Sequence, residues 1–88
     1  NGLLLVVTDG EIIGKTFEEG KLQLDLTKEF YQGKEMSKEE VKELFIDARD
    51  LHLTGEKAVG LGIELNYVDK EHVLYVDKIP HAEVVMEG

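Results

Sequence analysis

The chain has 88 residues, a formal net charge of -9, no Cys and a single Pro, which allows one modest core and excludes disulfides, thiolate zinc sites and cysteine nucleophiles. With 42% apolar and 33% charged residues it is apolar enough to fold and too charged to lie within a membrane. Its longest apolar run, Leu3 to Val7, falls far short of the ~20 residues that span a bilayer and follows no secretory pattern, so a cytoplasmic protein with no membrane partner is expected.

No repeat, linker or low-complexity tract interrupts the sequence, and residues 1–88 read as one domain. Leu3 to Val7, bounded by Asp9-Gly10, predicts a strand buried on both faces, hence a central one. Lys21 to Leu26 alternates, with Leu22, Leu24 and Leu26 on one side, the pattern of a half-buried strand. Phe30-Tyr31 then stands between turn residues, in a loop or a single helical turn. Ser37-Lys38-Glu39-Glu40 fits a capping box, and Val41, Leu44, Phe45 and Ala48 follow at helical spacing. A second helix is predicted from just after Gly55 to about Leu65, with Asn66 as a left-handed stop. Its Gly60 and Gly62, each costing roughly 1 kcal/mol against Ala, imply a close packing partner. Asp69 to His72 reads as a turn, Val73 to Val76 as a strand, and Glu83 to Met86 as another. Strands, two consecutive helices and strands again predict an α/β fold of the α+β type: a small two-layer sandwich, its mixed sheet covered on one face by a pair of helices.

The acid excess is even. Divided after residues 36 and 66, each third of the chain carries -3, so the charge marks no site. Arg49 is the only arginine, and no Lys/Arg stripe exists to neutralise phosphates, which argues against duplex DNA.

Asp9 to Thr16 imitates a phosphate-binding G-x-x-x-x-G-K-[ST] loop, but only three residues separate Gly10 from Gly14. Glu18, Glu19 and Gly20 also oppose the helix that must begin after Lys15. A glycine-bounded turn with a solvated Lys15 is the better reading. His52, His72 and His81 show no metal-ligand spacing, and neither a metal nor a cofactor is expected. His81 is the strongest of the three, because Pro80 would present it at a defined bend near a strand end. Ser37, the sole serine, is better spent as a helix cap than as a nucleophile. Phe30 and Tyr31, followed by Gly33, offer either an aromatic platform or core rings.

Asp9, Glu11, Gly14-Lys15-Thr16-Phe17, Glu19-Gly20, Leu22 with Leu24, Phe30-Tyr31 with Gly33, Gly55 to Val59, and Pro80-His81-Ala82 form a set in chain order. Together these stretches resemble the archaeal family catalogued as domain of unknown function 424. This chain carries Glu83 where the resemblance leads one to expect an amide, and His52 near an expected Asn. The resemblance implies an archaeal cytosolic protein with no settled activity, suspected of acting near RNA or the translation apparatus, and supplies no catalytic residue.

The leading expectation is therefore a non-catalytic binding module, with Lys15, Phe30, Tyr31, Gly33, Pro80 and His81 as candidate ligand contacts. An RNA would need a local pocket, stacking on Tyr31 with Lys15 on a phosphate, because the overall field repels it; a basic ribosome-associated protein would be attracted. One alternative is a small enzyme using His81 as acid or base and Lys15 as an anion contact. Another is a homodimer packed through the Gly60/Gly62 face.

Overall fold

The computed structural model describes residues 3–27 and 35–85. Eight regular elements follow in order: β1 (Leu3–Thr8), β2 (Thr16–Glu19), β3 (Leu22–Asp25), α1 (Lys38–Asp47), β4 (Ala48–Thr54), α2 (Glu56–Glu64), β5 (Leu74–Val76) and β6 (Ile79–Val85). Four of the strands form a mixed sheet in the order β1-β4-β6-β5. β1 runs parallel to β4 and the other pairs are antiparallel. The parallel pair requires a crossover, and α1 supplies it.

The register separates the two faces. Leu5, Leu51 and Val84 align across β1, β4 and β6, as do Val7, Leu53 and Ala82. All six join the core with Phe45 and Val41 of α1 and Ala58 and Val59 of α2, so both helices cover one face. Leu51, Leu53 and Phe45 are fully buried, each contributing about 1.5–3 kcal/mol through burial. Phe45 also meets the Tyr67 ring edge-on at a centroid distance of 5.4 Å. The expected α+β fold, a mixed sheet under a helix pair, is what forms.

Several details differ from expectation: β2 forms at Thr16–Glu19, where no strand is expected, and the last strand begins at Ile79 rather than Glu83. β1 is an edge strand rather than a central one, and its side chains are at best half-buried, because an apolar run is needed wherever one face is covered by a helix. The helices are not consecutive, since β4 separates them, with Ala48 as its first residue. Its Arg49, Asp50 and His52 hide the alternation that Leu51 and Leu53 carry. α1 itself begins at the foreseen capping box, in which the Glu40 amide donates to Ser37 Oγ and the Ser37 amide to Glu40 Oε1.

The opposite face of the sheet carries the antiparallel β2–β3 hairpin, whose Leu24 and Leu26 are buried. Its ladder continues past the strands, where Gly14 N donates to Leu26 O and Leu26 N to Lys15 O. At its turn the Asp77 amide donates to Glu19 Oε1 at 2.8 Å. Because β2 starts at Thr16, no helix follows Lys15 and the phosphate-loop geometry is absent.

The two helical glycines do different things. A Cβ on Gly62 would lie 2.6 Å from Leu53 Cδ1 and 2.7 Å from Val68 Cγ2, whereas one on Gly60 meets nothing within 4 Å. Gly62 therefore serves packing inside the molecule, and Gly60 lies open to solvent. Gly60→Ala is expected to stabilise by about 0.5–1 kcal/mol through helix propensity. Gly62→Ala is expected to destabilise by about 1–2 kcal/mol through overpacking. Urea unfolding of the two variants side by side checks the opposite signs.

Candidate functional site

Residues alternate across a strand, so fixing Leu51 and Leu53 towards the helices turns Asp50, His52 and Thr54 to the hairpin side. The pairing then builds cross-strand rows there. One row is Val6, His52 and Glu83; the next is Thr8, Thr54, His81 and Leu74. Three polar side chains from these rows connect. His81 Nδ1 lies 2.8 Å from Thr54 Oγ1, and its Nε2 lies 2.9 Å from Glu83 Oε2. The other Glu83 oxygen, Oε1, is 3.8 Å from His52 Nε2.

These partners assign the proton. A carboxylate only accepts, so Nε2 of His81 carries hydrogen, and in the neutral ring Nδ1 accepts from the Thr54 hydroxyl. The chain of contacts therefore runs from hydroxyl to imidazole to carboxylate. Thr54 is 1% exposed, so its hydroxyl anchors the ring rather than meeting a solute. The His81 side chain is 13% exposed and that of Glu83 60%, which leaves the carboxylate as the end of the chain that faces solvent.

The hydrogen bond from His81 holds the Glu83 carboxyl below its ordinary value of 4.5, with partial burial opposing and the charges of His52 and His81 assisting. A carboxyl lowered on folding contributes stability above its unfolded value and loses it as pH falls through the folded one. Glu83→Gln is expected to flatten the rise of stability with pH below about 4.5, by well under 1 kcal/mol because the group is exposed. Acid titrations of the melting temperature of both proteins check this.

Leu22, Gln23, Leu24 and Asp25 of the hairpin and Leu74 and Val76 of β5 complete a groove of about 260 Å³ around His52, His81 and Glu83. Asp25 bonds the Thr27 amide at 3.1 Å and the Thr27 hydroxyl, which orders the hairpin end of this wall. Among the described residues no group of His, Asp and Glu is arranged to hold a metal ion.

In the lower row Thr8 Oγ1 is buried without a hydrogen-bond partner, at a cost of about 1–3 kcal/mol. Valine keeps the branched shape and removes the polar atom. Thr8→Val is expected to stabilise by about 1 kcal/mol, read as a raised denaturation midpoint at unchanged slope.

A wider groove of about 1110 Å³ lies between α1 and α2, floored by Leu5, Val7, Leu44 and Leu61. Its rims carry the ion pairs Lys38–Glu64 and Lys57–Glu11, at 3.3 and 3.5 Å. The one buried carboxylate there, Asp9, already accepts from the Lys57 and Ala58 amides at 2.9 and 2.8 Å and caps α2. This groove therefore has an apolar floor and a charged rim.

Of the residues singled out in the sequence, His81 stands in the smaller groove and Pro80 beside it, buried on the helix side. The expected bend at Pro80 does not form. β6 runs straight through it, and the chain reverses at Asp77-Lys78, both with positive φ, between the paired Val76 and Ile79, which is the two-residue hairpin geometry. Lys15 is exposed and is not among the residues lining His81's groove. Phe30, Tyr31 and Gly33 lie outside the described residues. Thr54 escaped the sequence reading because its link to His81 exists only through strand register. His52 and Glu83, the two noted departures from the family pattern, are cross-strand partners.

Fold and groove together define a small acidic α+β domain with a histidine–carboxylate cluster on the hairpin side of its sheet. The chain belongs to the family of proteins of unknown function DUF424, whose model matches residues 1–86. Its fold is similar to that in the crystal structure of an uncharacterized conserved protein from Methanopyrus kandleri, with a TM-score of 0.63 at 18% identity, over 94% of this chain and 84% of that one. No curated protein matches the chain. Among the described residues no helix is long and apolar enough to cross a membrane.

Proposed function

We propose that the protein is a non-catalytic binding module whose hairpin-side groove receives a basic segment of a protein partner. The observation that carries this reading is Glu83, a solvent-facing carboxylate held ionised between two histidines in a chain of net charge -9. Such a field draws in lysine and arginine side chains and repels phosphate. Exposed Leu22 and Leu74 at the groove suit the aliphatic stems of those side chains. With the suspected role near RNA or translation that the family resemblance implies, a basic ribosome-associated protein is the partner class that fits, rather than RNA itself.

The contacts among Thr54, His81 and Glu83 favour one other reading, an enzyme using His81 as acid or base. The buried Thr54 hydroxyl and a Lys15 outside the groove wall weigh against it.

Calorimetric titration at low salt with a short arginine-rich peptide, and separately with a single-stranded RNA oligonucleotide, tests the proposal. The peptide is expected to bind, with affinity falling about three- to tenfold in Glu83→Lys and further with added salt. Binding of the RNA but not the peptide, weakened by Lys15→Ala, overturns the protein-partner reading. Peptide binding indifferent to Glu83→Lys removes the groove from it.

A further inference from the structure

We propose that His52 governs occupancy of the hairpin-side groove through its own protonation: neutral, it leaves Glu83 Oε1 to a basic side chain of the partner, and charged, it takes that oxygen itself. This deepens the reading of the groove as a site for a basic segment and rests on it. The two Glu83 oxygens stand differently. Oε2 already accepts from His81 Nε2 at 2.9 Å. Oε1 lies 3.8 Å from His52 Nε2, beyond hydrogen-bond range, and so keeps its capacity to accept from an arriving cation.

That gap is one a proton closes. Charging an imidazole makes both ring nitrogens donors, and a charged donor pairs with a carboxylate more strongly than a neutral one. The His52 side chain is 40% exposed and that of Glu83 60%, so both have room to approach. A guanidinium or ammonium group of the partner then meets an oxygen already paired and a cation beside it. His81 suits this role less, because its Nδ1 accepts from the Thr54 hydroxyl. A proton on that nitrogen would force a hydroxyl buried to 1% exposure to turn about.

The surroundings leave the change of charge unmasked. His52 pairs with Val6 of β1 and Glu83 of β6, and its own strand places Asp50 on the same face. The hairpin adds Asp25 and Gln23, the second bonded to Glu18, and β5 adds Leu74 and Val76. Apart from His81, the titratable groups among these are carboxylates, so the positive charge gained is the imidazole's own. Imidazoles charge between about pH 5 and 8, whereas Glu83, held below its ordinary 4.5, stays ionised throughout, and arginine keeps its charge.

Calorimetric titration with the arginine-rich peptide at about pH 7.5 and about pH 5.5, either side of the imidazole range, at one low ionic strength, tests the proposal. Affinity is expected to fall about three- to tenfold at the lower pH, and to change by no more than about twofold in His52→Gln, which cannot charge. His72→Gln, at an exposed histidine paired with Asp69 outside the groove, should keep the full fall and so accounts for the general loss of negative charge. Equal affinity at both pH values in the native chain overturns the inference, as does a fall undiminished in His52→Gln or abolished in His72→Gln. Absence of peptide binding at both pH values overturns the proposed role of the groove, and the inference with it.

Discussion

Gly55→Ala is expected to destabilise the protein by about 3–5 kcal/mol, a large share of the roughly 4–13 kcal/mol available to a chain of this size. A single residue joins the last residue of β4, Thr54, to the first of α2, Glu56. Turning a strand into a helix over one residue demands unusual dihedrals, and Gly55 has φ 106 and ψ 159, a region open essentially to glycine alone. Space is lacking as well. A Cβ there would lie 2.4 Å from Asp9 Cγ, and that carboxylate is fixed by the two amides it accepts from at the start of α2. An added methyl therefore strains the backbone and displaces the cap, the second effect alone contributing about 0.5–2 kcal/mol. The damage reaches the groove, because Gly55 N donates to Pro80 O and Asp9 N to Thr54 O, the residues flanking the contact between Thr54 and His81. Chemical denaturation measures the loss. Asp9→Ala should cost less alone, and adding it to Gly55→Ala should be distinctly less than additive, since both act on one cap. A loss under 1 kcal/mol in Gly55→Ala would contradict this account.

This junction also shows where the sequence was and was not legible. Signals confined to a few neighbouring residues translated directly: the capping box at Ser37 and Glu40, the alternation of Leu22 and Leu24, and Asn66, which stops α2 with φ 64. Signals that depend on neighbours across the sheet did not. Nothing local in Leu3 to Val7 distinguishes a strand covered on one face at an edge from one covered on both faces at the centre. Ala48 suits the end of a helix as well as the start of β4, and the choice is made by Leu51 and Leu53 finding the core. Thr16 to Glu19 forms β2 despite two adjacent glutamates, because its partner β3 supplies the buried leucine and solvent takes the charge. Asp9 is visible in the sequence as the turn after Leu3 to Val7 and as part of the family resemblance, but not as a cap, because its helix-capping role links positions 48 and 49 residues apart. The candidate site divides along the same line. His81 was visible through Pro80, although for a bend that does not occur, while its anchor Thr54 and the pairing of His52 with Glu83 required the register.

Leu26→Ala is expected to detach the hairpin without unfolding the sheet, and so to separate the groove from the fold that carries it. Leu26 is fully buried, yet it lies apart from the core cluster formed by the helices and the sheet, and truncating such a leucine costs about 2–5 kcal/mol. The bonds linking Leu26 with Gly14 and Lys15 lie within the hairpin itself, while the Asp77 amide to Glu19 joins it to the rest of the molecule. A satellite of this kind opens on its own when its anchor is lost, because the sheet and helices keep Phe45, Leu51 and Leu53 covered. Hydrogen exchange should then show amides of β2 and β3 losing protection while those of β4 and α2 keep theirs. With Gln23, Leu24 and Asp25 gone from its wall, the groove loses one side, and peptide affinity should fall further than in Glu83→Lys. Uniform loss of protection across all strands would instead make the hairpin part of one cooperative unit. The contrast bears on the proposed role, for which a wall that opens locally would admit a bulky basic side chain while the sheet beneath holds His81 in place.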